Sequence, residues 1–295
     1  MKWKGRRGSD NVRSSTGGGK LLGGGIGGII IAGILWLVFG VNPMTALQTG
    51  QVVAGGGSSN QTEPATATDR DTQFVRVVLA DTEEVWHQIF QQNNLTYEEP
   101  QLVLFNNRIN SACGSASSAT GPFYCPGDKT VYLDTSFFAE MRQKLGISGD
   151  QQGSGSAENQ GKAGDFAQAY VIAHEVGHHV QTLLGISQQV NQARQTASRA
   201  EGNHLSVLQE LQADCFAGVW ANRNQSRVDF LEAGDIDEAI NAASQIGDDR
   251  LAQASGASVS PDNFTHGTSQ QRVEWFTRGL QSGDVQSCDT FGNAI

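Results

Sequence analysis

Phe166-Ala167-Gln168-Ala169-Tyr170-Val171-Ile172-Ala173-His174-Glu175-Val176-Gly177-His178-His179-Val180-Gln181-Thr182-Leu183-Leu184 is the stretch that decides how this chain is read. It predicts a helix that is apolar around its histidines and therefore buried. His174 and His178 stand at i and i+4, on one face and about 6 Å apart along the axis. Two imidazoles so placed can grip one metal ion, and Glu175 beside the first can reach an attacking water. A buried histidine pair needs polar partners, and a metal is a good one. Gly177 leaves room for close approach by a ligand or a neighbouring strand. The bland reading of the same five residues is a chance grouping on a helix surface.

Catalytic zinc usually takes three protein ligands and one water. Glu210-Leu211-Gln212-Ala213-Asp214 lies on the next predicted helix, residues 205–224, and again places two polar residues at i and i+4. Glu210 is expected to bind the metal. Asp214 is expected to accept a hydrogen bond from the outer ring nitrogen of His174, which would fix that ring. The exchanged assignment, with Asp214 as ligand, stays open. Leu208, Leu211, Phe216 and Val219 make this helix at least half buried. His179 points about 100° away from His178 and reads as structural. His87 and His204 read as surface residues. His266, in Phe264-Thr265-His266-Gly267-Thr268-Ser269, and Arg272 six residues on are candidates to stabilise an oxyanion. A helix-capping loop is the competing reading.

Working outward, the chain of 295 residues has a formal charge of −10, unevenly spread. Residues 1–20 carry six cations against Asp10, a net +5, which leaves −15 on the rest. A body this acidic excludes nucleic acid as a partner. Residues 21–41 are uncharged and mostly apolar, long enough for one membrane span. The expected layout is a basic cytoplasmic head (1–20), a transmembrane helix (21–41), a flexible linker (42–70) rich in Gly, Ser and Thr, and a folded domain (71–295). By the positive-inside rule the head stays in the cytoplasm and the domain lies outside the inner membrane. The seven glycines of the span also suit small-residue helix packing, hence self-association. A cleaved signal peptide is the competing reading of the run.

Four cysteines outside a membrane suggest two disulfides. Of three possible pairings, Cys113–Cys125 and Cys215–Cys288 are favoured. Residues 102–105 and 130–133 read as strands, 110–129 as a loop, 193–204 as a linker, and 146–165 as a solvated loop or a flap. Helices are expected from about 74 to 92, around 137–145, from about 235, and from 269 to 280. The fold class is α+β, mainly helical with a small sheet.

As an ordered set the motifs resemble the bacterial putative neutral zinc metallopeptidases. The resemblance is carried by Gly121-Pro122-Phe123-Tyr124-Cys125-Pro126, Val131-Tyr132-Leu133-Asp134, the segment His174 to Gln181, the segment Glu210 to Gly218, His266-Gly267-Thr268, Arg272 and Trp275-Phe276. More widely the chain resembles the gluzincins, zincin-like enzymes whose Glu-x-x-x-Asp pattern maps onto Glu210 and Asp214. The resemblance implies a membrane-anchored peptidase with one Zn²⁺ held by His174, His178 and Glu210, acting on extracytoplasmic proteins or peptides. Glu175 would take the proton of the attacking water and deliver it to the leaving amine. The strand 131–133 is expected to be an edge that pairs with substrate. A non-catalytic zinc-binding scaffold and a hydrolase of other amides, such as peptidoglycan, are the alternatives.

Overall fold

The computed structural model describes residues 1–15, 62–65, 69–137, 164–255, 261–292 and 294–295. In chain order its elements are β1 (Val12–Ser15), β2 (Thr62–Pro64), α1 (Arg70–Gln92), β3 (Gln101–Phe105), β4 (Arg108–Ser111), β5 (Gly114–Ser117), β6 (Phe123–Cys125) and β7 (Thr130–Asp134). Helices follow: α2 (Asp165–Leu183), α3 (Ile186–Thr196), α4 (Arg199–Val228), α5 (Asp235–Gln245), α6 (Asp248–Ser255) and α7 (Ser269–Ser282). The fold is α+β, mainly helical with a small mixed sheet of order β2-β1-β3-β7-β6. β3 runs parallel to both β1 and β7, while β6 and β2 close the two edges antiparallel. Buried parallel strands read as continuous apolar runs, as Leu102–Phe105 and Val131–Leu133 do. β4 and β5 form a separate hairpin.

Local signals set the helix starts. Asp69 caps α1 by accepting from the Thr72 N–H at 2.8 Å. Ser198 and Glu201 form a capping box that starts α4, and Thr268 and Gln271 form one that starts α7. α2 and α4 run through the core. Phe166, Tyr170, Phe216, Trp220, Phe230 and Phe276 are fully buried around them, with Trp86 of α1 edge-on to Phe216. Both favoured disulfides are present, Cys113–Cys125 and Cys215–Cys288.

Several expectations need correction. The stretch 193–204 is helical except around Ser198, because the Ser198-x-x-Glu201 box starts α4 well before Leu205. The stretch 110–129 holds β5, β6 and part of β4, so it is more than a loop. Val131–Leu133 is not an edge: β7 lies between β3 and β6, and β6 is the edge. Part of the expected linker is structured, since Thr62–Pro64 forms β2 and Asp69 caps α1.

The basic head is part of the domain. β1 sits between β2 and β3, with Ser15 opposite Thr62. Arg6 pairs with Asp81, Arg7 with Glu83 at 3.1 Å, and Lys2 with Asp229 at 3.0 Å. The head's cations thus meet the acidic body they were expected to be parted from. A single crossing between Ser15 and Thr62 would leave these residues on opposite faces of a membrane, where they could not pair. A cytoplasmic head with an external domain therefore does not fit this fold. Among the described residues no helix is long and apolar enough to cross a membrane. The run 21–41, most of the tether, nearly all of the expected helix at 137–145 and the stretch 146–163 lie outside the described residues.

Candidate metal centre

Gly177 decides how the two site helices meet. A Cβ there would stand 3.0 Å from the Ala213 carbonyl oxygen and 3.1 Å from its Cα. The clearance expected for a ligand or strand is used by helix α4 instead. That approach brings Glu210 against the histidines. Glu210 Oε2 lies 3.2 Å from His174 Nε2, and Oε1 lies 3.4 Å from His178 Nε2. Ligand atoms of His174, His178 and Glu210 all fall within 4.8 Å of one another. The two rings are perpendicular, with centroids 4.8 Å apart. Two imidazole nitrogens and one carboxylate, converging from two helices, are the donor types and number of a catalytic zinc site, so the residues fit that ion.

The outer nitrogens are held as well. His174 Nδ1 is 2.8 Å from Asp214 Oδ1, as expected of that carboxylate. Asp214 also accepts from the Tyr170 hydroxyl at 2.5 Å, from Arg272 Nε at 2.8 Å and from Arg272 Nη2 at 2.9 Å. Arg272 is 1% exposed and its fork is spent on Asp214. The structure therefore moves it from an oxyanion role to support of the carboxylate behind His174. His178 Nδ1 meets Gln181 Oε1 at 2.8 Å, and Gln181 is fixed in turn by the Gln209 carbonyl and Gln212. Sequence reasoning missed Gln181. Its signal was a polar residue one turn after His178 in an otherwise apolar helix.

The electrostatics favour a cation. Burial alone would raise the Glu210 pKa, but His178 and His174 outweigh it and hold the carboxylate well below its usual range. Burial disfavours the charged form of His174, yet Asp214 and Glu210 push its pKa up to about 10. Burial raises the pKa of Asp214 too, and Arg272 and His174 reverse this to leave it lowered. Glu175 is different. It is buried beside both histidines, and burial raises its pKa, which moves it toward the range useful to a general base.

His266 is buried. Its Nδ1 is 3.0 Å from Asp248 Oδ1. Asp248 Oδ2 accepts from the backbone N–H groups of Thr265, His266 and Gly267 at 2.8, 2.7 and 3.1 Å. Asp248, another residue the sequence did not single out, thus orients the ring through Nδ1. The other histidines fall where expected. His179 is fully buried between the Tyr124 hydroxyl and the Glu98 carbonyl, while His87 and His204 are exposed.

Replacing Asp214 by Asn is expected to weaken zinc binding by about 10–100-fold. It should also cost about 3–5 kcal/mol of stability, because Arg272 would be left buried without its countercharge. Metal titration and thermal melts measure both; unchanged zinc affinity would remove Asp214 from the site.

A family model described as "Putative neutral zinc metallopeptidase" matches residues 1–291. "Uncharacterized protein YpfJ" of Escherichia coli (strain K12) is 48% identical over 306 residues, covering 100% of both chains. "Uncharacterized protein Mb2605" of Mycobacterium bovis and "Uncharacterized protein Rv2575" of Mycobacterium tuberculosis are each 39% identical over 265 residues, covering 86% of this chain and 83% of theirs. No solved structure matches the chain.

Proposed function

The chain belongs to the putative neutral zinc metallopeptidase family, and on that premise we propose that it is a zinc-dependent peptidase of zincin-like design. The observation that carries this reading is the convergence of His174, His178 and Glu210 from two helices, with Glu175 buried beside them. A structural zinc site has no use for a buried carboxylate next to its ligands, so Glu175 favours catalysis over a scaffold.

Zinc held by those three side chains would polarise the scissile carbonyl and make water a nucleophile near neutral pH. Glu175 accepts the proton of the attacking water at its carboxylate and passes it to the departing amine. His266, oriented by Asp248, offers Nε2 to the negative charge that develops on the carbonyl oxygen. Tyr170, Asp214 and Arg272 hold the His174 ring, and Gln181 holds the His178 ring. An extended substrate would lie along β6, the sheet edge that Tyr124 ties to the catalytic helix through His179. Two disulfides suit an oxidising compartment, so extracytoplasmic proteins or peptides are the proposed substrates.

Metal analysis of the purified chain and cleavage of a broad peptide mixture, with and without a chelator, test the proposal. One zinc per chain and chelator-sensitive peptide cleavage are expected. Bound zinc with no cleavage of peptides or of peptidoglycan would leave the scaffold reading in its place. Cleavage of peptidoglycan amides alone would overturn the substrate class.

A further inference from the structure

The two histidines of the centre are held from behind by different chemistry. A buried carboxylate, Asp214, sits on His174 Nδ1, whereas His178 Nδ1 meets the neutral amide of Gln181 at 2.8 Å. An amide can present either its oxygen or its nitrogen, so whatever turns Gln181 decides which ring nitrogen of His178 carries the hydrogen. With Oε1 toward the ring, the hydrogen is on Nδ1 and the Nε2 lone pair is left for a metal. The opposite turn aims N–H groups at Nδ1 and puts the hydrogen on Nε2, where an ion must bind.

A line of hydrogen bonds fixes that turn. Gln181 Nε2 donates to the Gln209 carbonyl at 2.8 Å and to Gln212 Oε1 at 3.0 Å, and Gln212 Nε2 donates to the Cys288 carbonyl at 3.0 Å. A carbonyl can only accept. Cys288 therefore orients the Gln212 amide, and Gln212 with the Gln209 carbonyl orients Gln181. Gln181, Gln212 and Cys288 are all buried, so a lost partner leaves a polar atom unpaired. The far end of the line is held covalently. Gln212 and Cys215 stand at i and i+3 on α4, and Cys215 is bonded to Cys288. Just beyond, Thr290 Oγ1 donates to the Leu208 carbonyl at 2.7 Å, and Phe291 packs with Val190 and Leu205.

We propose that Gln212 is a positioning residue for the metal ligand His178, and that the Cys215–Cys288 disulfide holds in place the carbonyl that orients it. A chain without that bond keeps all three ligand side chains, but its His178 is no longer committed to the form that binds an ion. Full metal affinity then requires that the tail be tied to α4. The other disulfide, Cys113–Cys125, joins the turn between β4 and β5 to β6 and takes no part in this line. The inference rests on the reading of His174, His178 and Glu210 as a metal centre, and is independent of what that centre hydrolyses.

The test compares the full chain with Gln212→Met, C215A/C288A and C113A/C125A, each well below its melting temperature. Zinc affinity is read by competition with a chelator, and the ring hydrogens of the zinc-loaded protein by heteronuclear NMR. Met keeps the length of Gln and removes both polar contacts. Gln212→Met and C215A/C288A are each expected to weaken zinc binding about tenfold, the lower end of the range for groups behind a metal ligand. Both should speed solvent exchange of the His178 Nδ1 hydrogen and leave that of His174 unchanged. C113A/C125A should lower Tm with neither change. Gln212→Met keeps the disulfide and decides the relay even where C215A/C288A does not fold. Unchanged zinc affinity in Gln212→Met would overturn the inference. So would an equal loss of affinity in both disulfide variants, which would make stability alone the cause. A full chain with no affinity for zinc would instead overturn the metal-centre reading, and the inference with it.

Discussion

Glu175→Gln is expected to retain one zinc per chain and to lose peptide hydrolysis by about 10²–10⁴-fold, the usual contribution of a positioned base. Gln matches Glu in shape and can stay in the same buried position, so packing around the catalytic helix should be preserved. The amide cannot take a proton from water at neutral pH. Zinc should remain because the three ligand atoms that converge belong to His174, His178 and Glu210, not to Glu175. Glu210→Gln should do the reverse and lose the ion itself, since it removes the only carboxylate of the donor set. The pair is decisive when zinc content and turnover are measured on the same samples. Full activity in E175Q would sink the mechanism. Loss of zinc in E175Q would move Glu175 into the ligand set.

Gly279→Ala is expected to destabilise the fold by about 3 kcal/mol, at the upper end of overpacking costs. A Cβ at 279 would stand 2.0 Å from the Cys215 carbonyl oxygen and 2.9 Å from the Val219 nitrogen. Gly218 answers it from the other helix, where a Cβ would stand 2.1 Å from the Phe276 carbonyl oxygen. All of these are backbone atoms, so no side chain can swing away and α4 and α7 must separate. Alanine's better helix propensity returns only about 1 kcal/mol. A net fall in Tm of roughly 5–10 °C follows. Zinc affinity should fall too, because Arg272 on α7 would be drawn off Asp214 on α4. A melt at or above the native Tm would show that the helices are not held at this distance by the glycine pair.

The centre was legible because its parts are local in sequence. His174, Glu175 and His178 share one turn of helix, and Glu210 and Asp214 share another, so spacing alone fixes which face each takes. The disulfide pairs could be favoured because one closes a short loop and the other ties down the tail. The misplaced features depend on tertiary choices that spacing does not encode. Arg272 has the chemistry of an oxyanion group, yet it is drawn behind the site because Asp214 is buried there and needs a countercharge. Val131–Leu133 has an edge strand's length, but its apolar run on both faces marked it as interior. Asp248 matters through contacts that only the packing of α6 against the His266 loop creates, and Gln181, one turn after His178 on α2, is fixed by groups that only the packing of α2 against α4 brings to it. The basic head misled for a different reason. Its charge resembles a membrane-flanking segment, and only the fold shows that acids at 81, 83 and 229 receive it.

The seating of β1 also sets an order for assembly. A ribosome adds about 5–20 residues per second. The partner strand β3 therefore appears several seconds after β1 has been made. Parallel pairing across such a separation is slow to form. β1 thus waits unpaired on the nascent chain until β2 and β3 have both been made.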